Sequence, residues 1–140
     1  MIHHTAVSRL KNADQFKATN DYHKKKWDFK SSLGFYSGYH YEIAANGQVR
    51  QTRIDGEVSA ACYQKKMNNG QCVHICLDGD FDHEDPAPEQ IYALRDLMKK
   101  IYEKYEIEPE RVYFHRDFAP KSCPGKRLER DFIRGLAIYQ

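Results

Sequence analysis

The residues best suited to hold a metal ion stand at opposite ends of this chain, and that separation constrains its fold more than any other feature. His115 and Cys123 lie in the run Phe114-His115-Arg116-Asp117-Phe118-Ala119-Pro120-Lys121-Ser122-Cys123, followed at once by Pro124 and Gly125. Imidazole and thiolate are both good zinc ligands, and the intervening loop can fold back to bring them onto one ion. A third ligand is on offer in Ile2-His3-His4-Thr5-Ala6. A fold that unites them presents His3 and His115 at the edges of strands from the two ends of the chain, a rigid support for a metal site. Two His and one Cys leave one tetrahedral position open to water, as in a catalytic rather than a structural zinc site. These residues read as those of a zinc hydrolase.

The bulk properties set bounds. A chain of 140 residues is one domain by size, expected over 1–140, with enough length for a real core. No apolar run approaches a membrane span, and no basic segment followed by an apolar stretch opens the chain, so neither membrane insertion nor a secretory signal is expected. Charge is uneven. Residues 1–66 carry 11 basic against 6 acidic side chains, 67–110 carry 4 against 11, and 111–140 carry 7 against 3. Acidic solvent faces in the middle of the chain account for this split; the functional alternative is that the two basic ends, which also hold the candidate ligands, form a face that attracts an anionic polymer. No aromatic–basic pattern or finger spacing points to nucleic acid.

The pattern along the chain is mixed α and β. A short strand opens it, and a helix is predicted over about 13–27, with Phe16, Tyr22 or His23, and Trp27 facing inward. Tyr39 to Ala44 alternates like a strand, and Ala45-Asn46-Gly47 turns it back into Gln48 to Arg53. Val73 to Leu77 reads as a buried strand. Pro86 and Pro88 introduce a helix from about Glu89 to Tyr105, with the stripe Ile91, Leu94, Leu97 or Met98, Ile101 and Tyr105. Arg111 to Phe114 is predicted as a further strand, and Lys126 to Ile138 as a closing helix with Leu128, Phe132, Ile133 and Leu136 facing in. The sum is an α/β domain, a central mixed sheet flanked by helices.

Other candidate sites are weaker. Cys62, Cys72, His74 and Cys76 meet no standard zinc spacing, so Cys72 and Cys76 are expected as small buried hydrophobes in reduced form. Asp78, Asp80 and Asp82 alternate as in a calcium loop, but the glycine and the closing glutamate are misplaced, leaving a solvated loop. Arg53 suits either a substrate contact or a sheet surface.

In order and spacing, several segments resemble one family over nearly the full length. They are Ile2-His3-His4-Thr5-Ala6, Gly38-Tyr39-His40-Tyr41, Asn46-Gly47-Gln48-Val49, Gln51-Thr52-Arg53, Ile75-Cys76-Leu77-Asp78-Gly79-Asp80-Phe81, His115-Arg116-Asp117 and Cys123-Pro124-Gly125. Together they look like the type 2, zinc-dependent N-acetylmuramoyl-L-alanine amidases, which share a fold with phage lysozyme-type amidases and animal peptidoglycan-recognition proteins. The resemblance implies Zn2+ on His3, His115 and Cys123, with His4 as a neighbour that does not bind. It places an active-site tyrosine at Tyr39 and a catalytic lysine at Lys121. It implies cleavage of the amide between N-acetylmuramic acid and L-alanine in bacterial peptidoglycan; the chain is expected as a monomer, made in the cytoplasm and acting on the wall after release or as part of a larger protein. Members of this fold that lack the third ligand bind peptidoglycan without cutting it, and Cys123 separates the two classes. The chain departs from the pattern at Val58-Ser59-Ala60-Ala61-Cys62, where a groove histidine is usual, and at His74, where a small residue is common.

Overall fold

The computed structural model of the chain describes residues 1–62 and 64–138. Four short strands form one sheet in the order β1-β4-β2-β3: β1 (Ile2–His4), β2 (Tyr41–Ile43), β3 (Val49–Gln51) and β4 (Ile75–Leu77). β1, β4 and β2 run parallel, and β3 closes the edge antiparallel to β2 through the predicted turn. Parallel neighbours need long crossovers. The first contains α1 (Phe16–Trp27), and the return from β3 to β4 contains a 3-10 turn at Lys65–Met67.

The register sorts the two faces of the sheet. Ile2 pairs with Ile75, and Leu77 with Ile43, and these side chains join Leu94, Leu97, Met98 and Ile101 of α2 (Pro88–Tyr105) in the core. The alternate row, His3, Cys76 and Glu42, lies side by side in register and is equally buried. Side chains alternate between faces along a strand. One face is therefore apolar and takes the helix, while the other carries a buried polar row on which a site can be built.

Element boundaries depart from the pattern-based expectation where backbone partners run out. The first helix starts at Phe16, because Gln15 is buried and spends its side chain on the Val7 and Asn12 carbonyls. His23 is its buried residue, whereas Tyr22 and Trp27 are partly exposed. Both Leu97 and Met98 face the core, while Tyr105 is 41% exposed and donates its hydroxyl to Asp55. Arg111 to Phe114 is not a strand. Pro109–Arg111 is a 3-10 turn, and only Phe114 makes a parallel bridge, to Ile2. The closing helix shrinks to α3 (Arg130–Gly135), with Leu128 and Ile133 buried and Phe132 52% exposed.

The aspartate loop is not solvated throughout: Asp78 is fully buried beside Glu42, and Arg50, the nearest cation across the hairpin, pairs with Asp14 instead. Burial, reinforced by Asp78, pushes the Glu42 carboxyl far above the usual range. A carboxyl raised in the folded state stabilises fully below its unfolded pKa, and that contribution is lost as pH climbs towards the folded value. Glu42→Gln is therefore expected to flatten the fall in stability above about pH 5 and to exceed wild type by ~1 kcal/mol or more at pH 8. Thermal melts from pH 5 to pH 9 check this, and parallel curves for the two proteins would refute it.

Candidate metal centre and groove

The two ends of the chain meet through backbone. Ile2 N–H donates to the Tyr113 carbonyl at 2.9 Å, which lays β1 beside the segment that leads into His115. His115 then opens a 3-10 turn, His115–Asp117, whose Asp117 carboxylate accepts the Phe114 N–H and pairs with Arg130. Arg116 ties the following loop down: its N–H donates to the Cys123 carbonyl at 2.8 Å and its guanidinium to Gly125 O at 3.0 Å. From the other side, Asp82 accepts the Ser122 hydroxyl and the Lys126 N–H. The Cys123–Pro124 peptide bond is cis.

Held this way, His3, His115 and Cys123 offer ligand atoms within 4.8 Å of one another, and all three residues are buried. His3 Nδ1 lies 3.9 Å from Cys123 Sγ. Tetrahedral zinc with Zn–N and Zn–S bonds of ~2.0–2.3 Å sets its donors ~3.5 Å apart, so the donor set can take the ion by drawing in by up to about 1 Å. Among the described residues this is the one group of three or more such side chains that could hold an ion. The Cys62, Cys72, His74, Cys76 combination does not assemble, and the four cysteines are free thiols. His4 turns to the other face of β1, where its Nδ1 accepts the Phe81 N–H at 3.1 Å, while its own N–H donates to Cys123 Sγ.

The surroundings favour neutral imidazoles. Burial lowers the pKa of His3 far below the usual value, helped by His74 and His115, and it lowers His115 to about 4, helped by Lys121 and His4. Their ring nitrogens therefore keep lone pairs at neutral pH. Burial pushes the Cys123 thiol up to about 11 against the pull of the His4 N–H, Lys121 and Arg116. A metal would have to displace that thiol proton to take the sulfur.

The Tyr39 ring lies tilted against His3 with centroids 5.0 Å apart, and Lys121 stands exposed on the loop before Cys123; both line one groove of about 1020 Å³ with His115 and Cys123. Burial, with Cys76 and Cys123 adding to it, pushes the Tyr39 phenol well up, which favours its protonated form. His23 was visible in the sequence only as one of two options for the inner face of α1. It is buried 4.5 Å from Trp27 and 5.4 Å from Tyr39 by ring centroids, and its Nδ1 accepts the Gly38 N–H. The remaining ring nitrogen of the neutral His23 is thus a donor beside Tyr39. Ser59, Ala60, Ala61 and Cys62, in the stretch where the resembling family usually has a groove histidine, form part of the wall.

Arg53 neither touches the groove nor lies on the sheet surface. It is fully buried and donates to the carbonyls of Phe29, Ser37 and Val58 while stacking on Phe29. A guanidinium supplies five donors in a fixed fork, which suits a knot of three loops.

Residues 1–126 match the family described as N-acetylmuramoyl-L-alanine amidase (Amidase_2). Over 98 residues the chain is 33% identical to the endolysin of Enterobacteria phage T3, covering 66% of this chain and 62% of that relative. The chain thus spans about three fifths of the length of this relative. Among solved structures, the N-acetylmuramoyl-L-alanine amidase LysC from Clostridium intestinale superposes with a TM-score of 0.78 at 23% identity, over 99% of this chain and 83% of that one. A mutant of Drosophila PGRP-LB in complex with tracheal cytotoxin does so with a TM-score of 0.71 at 24% identity, over 94% and 76%.

Proposed function

The chain belongs to the N-acetylmuramoyl-L-alanine amidase family, and from that membership we propose that it uses zinc to hydrolyse the amide between N-acetylmuramic acid and L-alanine in bacterial peptidoglycan. The observation that carries the reading is the buried cluster of His3, His115 and Cys123, of which His115 and Cys123 line a groove of about 1020 Å³. Zinc bound there would polarise the scissile carbonyl and bring the pKa of water down towards ~7. The groove is large enough for a sugar–peptide junction, and the basic ends of the chain suit an anionic wall polymer.

The remaining roles fall to this chain's own groups. Attack on the amide carbonyl builds negative charge on its oxygen, and the Lys121 ammonium and the protonated Tyr39 hydroxyl, both of residues that line the groove, would receive it. His23 keeps Gly38 fixed through the bond to its N–H, and with it the backbone that presents Tyr39. A cell-wall substrate also means that the protein acts outside the compartment in which it is made. No helix among the described residues is long and apolar enough to cross a membrane.

Lys121→Ala and Tyr39→Phe are each expected to keep one zinc per chain and to lower kcat ~100-fold or more, the usual effect of losing one oxyanion donor. Metal analysis and the release of L-alanine amino termini from purified peptidoglycan check both. Full turnover in either variant removes that residue from the mechanism. Zinc without amine release in the wild type would instead make the chain a peptidoglycan-binding module.

A further inference from the structure

His74 is fully buried just ahead of β4, and no role in hydrolysis has been given to it. Its two ring nitrogens bridge separate parts of the site. Nδ1 lies 2.9 Å from His3 Nε2, and Nε2 lies 2.6 Å from the Met67 carbonyl oxygen. A carbonyl oxygen only accepts, so Nε2 of His74 must carry a proton. In a neutral ring Nδ1 is then a bare lone pair, and it accepts the Nε2–H of His3. That leaves His3 Nδ1 without a proton, and Nδ1 is the nitrogen that lies 3.9 Å from Cys123 Sγ.

His74 is itself held from two directions. Its N–H donates to His40 Nδ1 at 3.0 Å, and His40 donates from Nε2 to the Glu57 carbonyl at 2.8 Å. The two rings stack at 5.8 Å with 12° between their planes. Backbone carbonyls at 57 and 67 thus anchor both imidazoles, one by its tautomer and the other by its orientation. Met67 closes the Lys65–Met67 turn, and Lys65 and Asn68 on either side of it line the groove.

We propose that His74 is a positioning residue for the metal centre: it holds His3 in the tautomer and ring orientation that present Nδ1 to the metal, and it ties that ligand to the Lys65–Met67 turn beside the groove. The inference rests on the reading of His3, His115 and Cys123 as zinc ligands. Outer partners of metal-bound histidines act in this way in general, and their loss costs ~10–100-fold in metal affinity. The small residue common at this position in the resembling family offers His3 no such acceptor.

The test compares wild type, His74→Leu and His74→Asn by competition of zinc against a chelator, together with nitrogen–proton NMR of the metal-free wild type. In His74→Asn the amide oxygen falls near the site of Nδ1 and accepts from His3, whereas leucine fills the space without accepting. His74→Leu is expected to weaken zinc binding ~10–100-fold and His74→Asn to recover most of that loss. The NMR spectrum is expected to show His3 protonated on Nε2 and bare on Nδ1. Equal zinc affinity in His74→Leu and wild type, or a proton on Nδ1 of His3, overturns the proposal. A wild type that binds no zinc overturns the functional reading instead, while the NMR spectrum, which needs no metal and no variant, still decides what His74 does to His3.

Discussion

Cys123→Ala is expected to abolish both zinc binding and amide hydrolysis while leaving the apoprotein folded. The sulfur is the only anionic ligand in the set, and without it two neutral imidazoles remain in a buried site. Metal assistance supplies several kcal/mol of transition-state stabilisation, so turnover should fall ~10³-fold or more. The apoprotein loses little, because Cys123 lies outside the hydrophobic core cluster and its sulfur makes only weak contacts, from the His4 N–H at 3.4 Å, to the His4 carbonyl at 3.8 Å and with His3 Nδ1 at 3.9 Å. Zinc content, amine release from peptidoglycan and the melting temperature of the metal-free protein, measured together, separate these effects. Retained zinc with retained hydrolysis would show that the ligand set is wrong. A collapse of the apoprotein would show that the sulfur is structural.

The candidate ligands were legible in the sequence because ligand chemistry is local: a histidine and a cysteine eight apart, and a histidine near the start, require nothing from the rest of the chain to stand out. The long helix was legible for a similar reason, since Leu94, Leu97, Met98 and Ile101 repeat at helical spacing. What stayed hidden are the buried polar groups. Arg53 looks like a surface or substrate residue until three loop carbonyls converge on it, and Asp78 looks like loop solvent contact until Glu42 closes over it. His74 broke the pattern of the resembling family without indicating why. Its meaning depends on Met67 O and His3 Nε2, which are brought to it only by tertiary structure. Burying a polar group is costly unless a partner is present, and partners distant in sequence leave no periodic trace. The segment before His115 failed as a strand for a related reason: a single bridge from Phe114 to Ile2 satisfies it, so its residues need no longer ladder.

Gly125→Ala is expected to cost roughly 3–5 kcal/mol of stability and to lower the melting temperature by about 10–20 °C, metal or no metal. Gly125 has φ +108, a conformation open to glycine alone in practice, and an added Cβ would meet the Phe81 carbonyl carbon at 2.5 Å and the Phe81 Cβ at 2.7 Å. Neither can give way easily. Phe81 is fully buried in the core, and its carbonyl accepts the Arg127 N–H at 2.9 Å. Gly34 supplies the control, since it has a similar φ of +91 but nothing within 4 Å of the added carbon. Gly34→Ala therefore carries backbone strain alone, ~1–3 kcal/mol, and the difference between the two variants isolates the clash with Phe81. The backbone of Gly125 also accepts from Arg116 and donates to Ser122 O, so displacing it moves the loop that carries Cys123. Gly125→Ala should thus weaken zinc binding and lower the melting temperature of the metal-free protein together, whereas Cys123→Ala should do only the first. Equal metal-free melting temperatures for Gly125→Ala and Gly34→Ala would mean that the Cys123 loop yields around Phe81, and that its rigidity does not come from this contact.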